Sequence, residues 1–204
     1  MTTKERIVDE ALTLFSINGY HGTSVKNIAD AVGIKDSSLY KHFKSKQEIL
    51  DTIVVSVRNH IEEMSNEYGL PTGTDYKEAA VIYAAMDEDS FVEFCKKVFL
   101  FYLKDSYLSR FWRMGNMEQY KNQTVYELFR KLFLEDSLVY QTALFEEMRK
   151  QQIFTDADPQ VMAMSFYTPI YFLLSKYSNC PEKEKEALAI LEKQLREFSR
   201  VYKK

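Results

Sequence analysis

Apolar positions recur at three- and four-residue steps along most of the chain, and no stretch alternates with the period of two that a half-buried strand requires. The pattern predicts an all-α protein. Lys4 to Asn18 places Ile7, Val8, Ala11, Leu12 and Phe15 on one face and ends at Asn18-Gly19, a helix stop. Val25, Ile28, Ala29 and Val32 give a second, shorter helix one apolar side, with Thr23 and Ser24 suited to cap it. At Gly33 a left-handed backbone can turn the chain without a Cβ clash. Ile34, Leu39 and Phe43 then bury the inner side of a third helix from Lys35 to Phe43. Ser45 and Glu48 stand at capping-box spacing, so a fourth helix starts at Lys46 and runs through Ile49, Ile53, Val57 and Ile61.

Further along, Gly69-Leu-Pro71-Thr-Gly73 reads as a loop. Helices are expected from Asp75 to Met86, from a Ser90 cap to Leu103, from Leu108 to Met117 and from Thr124 to Gln151. Asp158 and Pro159 suit the cap and first position of the next helix, and Pro181 opens the last. In that last helix Leu188, Leu191, Leu195 and Phe198 form a bundle-type seam, read here as a homodimer interface. The helix from Val161 to Leu174 is apolar nearly all round and needs cover on more than one side, which a dimer supplies.

Helix-glycine-helix patterns are most often plain connectors. The third helix differs because its outward positions are Lys35, Asp36, Ser37, Ser38, Tyr40, Lys41 and His42. Cations, hydroxyls and a phenol on one side suit phosphates and base edges in a major groove. Lys46, at a helix N-terminus, is placed to meet a phosphate. The net charge of −3 excludes a chain basic all over, but between His21 and Gln47 the charges are Lys26, Lys35, Lys41, Lys44 and Lys46 against Asp30 and Asp36. The basic surface is local.

The order Asn-Gly-Tyr, Gly-Thr-Ser, Ile-Ala-Asp-Ala-Val-Gly, Ser-Leu-Tyr-Lys-His-Phe and Lys-Ser-Lys resembles the TetR family of bacterial transcriptional regulators over about the first 50 residues. That resemblance implies a helix-turn-helix head (residues 1–47) and a helical ligand-binding and dimerisation domain (residues 48–204). It also implies DNA contacts at Ser24, Lys26, Lys35, Asp36, Ser37, Ser38, Tyr40, Lys41, His42 and Lys46. Many relatives carry Gly, Ala or Pro where this chain has Asp36-Ser37, and Asp36 repels phosphate unless it accepts from a cytosine amine.

Aromatic residues are sparse in the head, where Phe15, Tyr20, Tyr40 and Phe43 stand, and dense beyond it. Aromatic and Met clusters suit an adaptable apolar pocket. Phe94, Tyr102, Trp112, Phe166 and Tyr167 are its candidate lining, with Glu93 or Glu118 as a possible inward carboxylate. At helical spacing any one of these residues is more often core than ligand contact.

Catalysis and cofactors find no support: His21, His42 and His60 are scattered, and no nucleophile elbow, phosphate loop or dinucleotide fingerprint is present. No metal is expected. Cys95 and Cys180 read as small apolar residues of a reducing cytoplasm, and no segment reads as a membrane span or export signal. The sequence therefore predicts a homodimeric repressor that binds a palindromic operator in double-stranded DNA and is released by a small hydrophobic inducer. An activator of the same fold, or a helical carrier or enzyme without DNA binding, are the alternatives.

Overall fold

The computed structural model describes residues 1–68 and 75–204, so the loop expected at 69–73 lies outside the described residues. The helices are α1 (Thr3–Gly22), α2 (Val25–Val32), α3 (Asp36–Leu39), α4 (Lys46–Glu67), α5 (Tyr76–Ala85), α6 (Glu88–Lys104), α7 (Ser106–Glu118), α8 (Gln123–Arg130), α9 (Asp136–Lys150), α10 (Pro159–Tyr177) and α11 (Glu184–Tyr202). The fold is all-α; among the described residues the extended pairing is one isolated bridge, Phe154 with Lys203.

Contacts divide the chain into two compact units. The first joins residues 1–63 to residues 106–129, and the second joins residues 64–105 to residues 130–204. The sequence suggested a change of domain after residue 47. α4 instead stays with the head for most of its length, because Ile49, Leu50, Ile53, Val54 and Val57 are buried there. α7 rejoins the head from far along the chain.

In the first unit Ile7, Leu12, Phe15, Ile28, Leu39, Phe43, Ile49 and Phe111 are fully buried. Each such side chain contributes about 1.5–3 kcal/mol by leaving water. α7 is fixed to α1 by Arg110, whose guanidinium pairs with Asp9 at 2.7 Å and donates to the Thr13 hydroxyl at 2.6 Å. Its Tyr107 stacks on His60 of α4 with ring centroids 5.0 Å apart. Gly115 lets α7 approach Phe129, since a Cβ there would overlap that ring.

The second unit is built on Ala79, Ala80, Leu144, Phe145, Met148, Phe154, Met162, Ala163 and Phe198. Phe198 lies 5.1 Å from Phe166, 5.5 Å from Phe145 and 5.9 Å from Phe154, ring centre to ring centre. The seam of α11 therefore faces its own subunit: Leu191, Leu195 and Phe198 are buried and Leu188 half-buried. They are core residues and not the free interface that their spacing suggested. The large apolar side chains that α10 leaves in solvent are Val161, Met164 and Phe172, with Thr168 exposed between them, and α11 adds Ile190 and Val201.

Several boundaries differ from the sequence reading for local reasons. α1 continues past Asn18, but its backbone breaks at Gly19, which sits at φ 76°, ψ 164°. α6 is capped by Asp87, which accepts from the Ser90 amide at 2.7 Å, so the helix starts before Ser90. The helix expected over 124–151 is interrupted by a π-helical segment, Lys131–Glu135. Pro181 opens a short 3-10 turn ahead of α11. Asp158 caps α10 with Pro159 next, as expected, and accepts from the amides of Gln160 and Val161 at 2.8 and 3.1 Å.

Candidate nucleic-acid interface

The turn between α2 and α3 is set by a few local bonds. Ser24 caps α2 by accepting from the Asn27 amide at 3.1 Å, and the Asn27 side chain accepts from the Ser24 amide at 2.9 Å. Thr23 serves α1 instead: its hydroxyl donates to the Gly19 carbonyl at 3.0 Å. At the other end Gly33 adopts φ 76°, ψ 35°, and the Ile34 amide reaches back to the Ala29 carbonyl at 3.0 Å. Arg6 donates to the Val32 carbonyl at 2.6 Å, so α1 satisfies one more orphan acceptor of α2.

The reading segment is shorter than the pattern suggested. α3 makes a single α-helical turn, and residues 40–43 continue as tight turns, with His42 and Phe43 amides both bonded to the Leu39 carbonyl. Its underside is as expected, because Leu39 and Phe43 are buried. Lys35, Asp36, Ser37, Tyr40, Lys41 and His42 are exposed, as are Ser24 and Lys26 on α2, and Ser38 is half-buried. The apolar side chains beneath the α3 turn, Leu39 and Phe43, are buried while these polar ones are not. Asp36 lies in the first turn of α3, where a carboxylate is favoured by the helix dipole. Lys4 also reaches this region, its ammonium 5.3 Å above the Phe43 ring, and Lys44 is exposed next to it in sequence. Sequence spacing could not find Lys4, since only the packing of α1 on the turn brings it there.

Lys46 is the departure. Ser45 caps α4 as expected, accepting from the Glu48 amide at 3.1 Å, while the Glu48 carboxylate accepts from the Lys44 amide at 2.6 Å. The Lys46 ammonium, however, turns inward. It donates to the carbonyls of Tyr20 at 2.7 Å and Thr23 at 2.8 Å and lies 4.2 Å from the centre of the Tyr20 ring. Burial lowers its proton affinity, and the charge of Glu118 works the other way. In this geometry Lys46 ties the end of α1 to the start of α4, and does not stand free at the surface.

The candidate pocket residues do not form one group. Trp112 is buried in the first unit against Phe129, at 5.2 Å. The other four belong to the second unit. Phe166 is part of the Phe145–Phe198 cluster, and Phe94 meets Tyr83 edge-on at 5.9 Å. Tyr102 and Tyr167 converge on Phe133 in the π-helical segment: the Tyr102 ring lies 6.4 Å from the Phe133 ring, and the Tyr167 hydroxyl donates to the Phe133 carbonyl at 2.5 Å. Burial pushes the Tyr167 phenol up to about 12, opposed by its hydrogen bond with Ser137, and raises that of Tyr102 as well. Glu93 is exposed and paired with Lys96 at 2.8 Å; Glu118 is buried, but in the first unit. Among the described residues no group of three His, Cys, Asp or Glu side chains is placed to hold a metal, and no helix is long and apolar enough to cross a membrane.

Comparison with known proteins agrees with the geometry of the head. The family of bacterial regulatory proteins called tetR matches residues 7–53, from α1 into α4. The chain is 27% identical over 172 residues to the biofilm operon icaADBC HTH-type negative transcriptional regulator IcaR of Staphylococcus aureus strain Newman, covering 84% of each chain. Its fold is similar to that of a TetR-family regulator from Mesorhizobium loti (TM-score 0.71, 15% identity, 99% of this chain and 97% of that one). It is also similar to SmeT, solved as a complex with triclosan (TM-score 0.68, 18% identity, 100% of this chain and 93% of that one). The polar turn of α2 and α3, the match across α1 to α4 and the all-α fold agree: residues 7–53 match the tetR family of bacterial regulatory proteins, and the whole chain is similar in fold to regulators of that family.

Proposed function

We propose that the protein is a cytoplasmic repressor that binds a palindromic operator as a homodimer and is released by a small apolar ligand. The observation that carries the DNA-binding part is the surface of Lys26, Lys35, Ser37, Tyr40, Lys41 and His42, exposed over the buried Leu39 and Phe43. Tyr40 and the lysines would fix the head on phosphates, and Lys35, Ser37 and Ser38 would meet base edges. The negative sign is drawn from the Staphylococcus aureus relative, whose name makes it a negative regulator.

Dimerisation is assigned to the outer faces of α10 and α11, since Phe172 is 60% exposed where Leu191 is fully buried. Val161, Met164, Thr168 and Phe172 fall at steps of three and four on one side of α10. Gln194 of α11 bonds the Ser165 carbonyl, so Ile190 and its neighbours border that side. Two heads so joined would meet half-sites about 34 Å apart.

For the ligand, Tyr102 and Tyr167 beside the π-helical segment give the second unit a polar end within an aromatic interior. Such segments recur at functional sites. The triclosan held by SmeT is the kind of molecule we suggest. A ligand there would act through α4, whose last residues belong to the second unit, with a coupling of about 1–3 kcal/mol.

The test is binding of the whole protein to a DNA duplex that it selects from a random pool. Lys35→Ala should weaken binding and reduce the salt slope by about one unit while leaving the melting temperature unchanged. An unaltered isotherm would remove Lys35 from the interface.

A further inference from the structure

Glu118 is a charged side chain only 3% exposed. Its Oε1 lies so close to Gly19 that a Cβ on that residue would overlap it, so α1 breaks around this carboxylate. Its Oε2 is buried and finds no hydrogen-bond partner among the described residues. A carboxylate taken out of water in this way is costly unless a cation answers it. The cation beside Gly19 is Lys46, bonded to the carbonyl of Tyr20, the next residue, and to that of Thr23. Two of its three donors are used, which leaves one. The charge of Glu118 is felt at that ammonium, where it offsets part of the effect of burial.

We infer that Glu118 is an internal counter-ion that competes with operator phosphate for Lys46, and is thereby a positioning residue for DNA binding. The inference rests on the proposal that this head binds DNA. With Glu118 seated against Gly19, Lys46 is held inward at the junction of α1 and α4. Removing the negative charge loosens that hold and lets the ammonium at the start of α4 serve a phosphate. Because Glu118 is carried by α7, the position of α7 becomes a setting for operator affinity.

The experiment is a salt series of fluorescence-anisotropy titrations with an operator duplex selected by the wild-type protein. It compares wild type, Glu118→Gln, Lys46→Gln and the double variant. Glu118→Gln keeps the shape and removes the charge; it should bind severalfold more tightly at low salt, with a salt slope steeper by up to about one unit. In the Lys46→Gln background the same change should have no effect. Wild-type affinity and slope in Glu118→Gln would overturn the inference, as would an equal effect with and without Lys46. Thermal melting accompanies the series: Glu118→Gln should melt at or above wild type, because a buried charge is relieved, and a variant that does not fold would overturn the inference by making Glu118 structural. A wild-type protein that selects no duplex would instead refute the DNA-binding proposal, a result independent of either variant.

Discussion

The side-chain amide of Gln194 donates, at 3.5 Å, to the carbonyl of Ser165, the acceptor that Pro169 leaves without a helical donor four residues on. α11 thus supplies what the proline withholds from α10. Gln194→Ala should lower stability by about 1 kcal/mol or less. In a Pro169→Ala background, where the helix can satisfy Ser165 itself, that cost should vanish. Denaturant unfolding of the four proteins measures the coupling, and additive losses would mean the contact is incidental.

Faces of α10 and α11 should separate folding from assembly. Phe172→Glu places a charge in solvent in a lone subunit, so the variant should keep its helical circular dichroism while sedimenting as a monomer and losing operator affinity. Leu191→Glu buries an unpaired carboxylate in the subunit core and should not fold. An intact Phe172→Glu dimer would move the interface elsewhere.

Gly33 and Gly19 share a φ of 76° but not their surroundings. A Cβ on Gly33 meets nothing within 4 Å, so Gly33→Ala should cost only the left-handed strain, about 1–2 kcal/mol, and Gly33→Asn less. Gly19→Ala adds a collision with Glu118 and should cost more, with part of the loss recovered by Glu118→Ala. Chemical denaturation gives all four values.

Asp87 caps α6, and its bonds to Ser90 hold its carboxyl below the usual range. A carboxylate with a depressed folded-state pKa stabilises above its unfolded value and ceases to do so as pH falls through the folded one. Asp87→Ala should therefore melt below wild type at neutral pH, and the two melting curves should converge in strong acid. A gap that persists at low pH would mean the cap acts without its charge.

What the sequence disclosed was chiefly what a few neighbouring residues decide. The caps at Ser24, Ser45 and Asp158 and the turn at Gly33 were readable because each needs only side chains within a turn of its own backbone. The inward course of Lys46 was hidden, since its acceptors lie on Tyr20 and Thr23, far back in the chain. So was the direction of Leu191, Leu195 and Phe198, because a seam spaced for a bundle looks alike whether its partner helix belongs to the same subunit or another. The π-helical segment leaves the apolar period nearly intact, and the return of α7 to the head is a matter of packing alone. For the same reason Trp112 could not be told from the aromatics of the second unit.

The first unit is sewn from two separated stretches, and this has a consequence for biosynthesis. When residue 63 leaves the ribosome, the DNA-facing helices are already made, but Leu108, Phe111, Met114 and Phe129 are not. At ordinary elongation rates of about 5–20 residues per second, the nascent head waits on the order of several seconds for the helix that completes it. During that interval the sides of α1 and α4 that later meet α7 are bare, so the growing chain depends on chaperones or on rapid provisional collapse. A complete head would then arise only after residues 64–105 of the second unit have also been synthesised, and before residues 130–204 are.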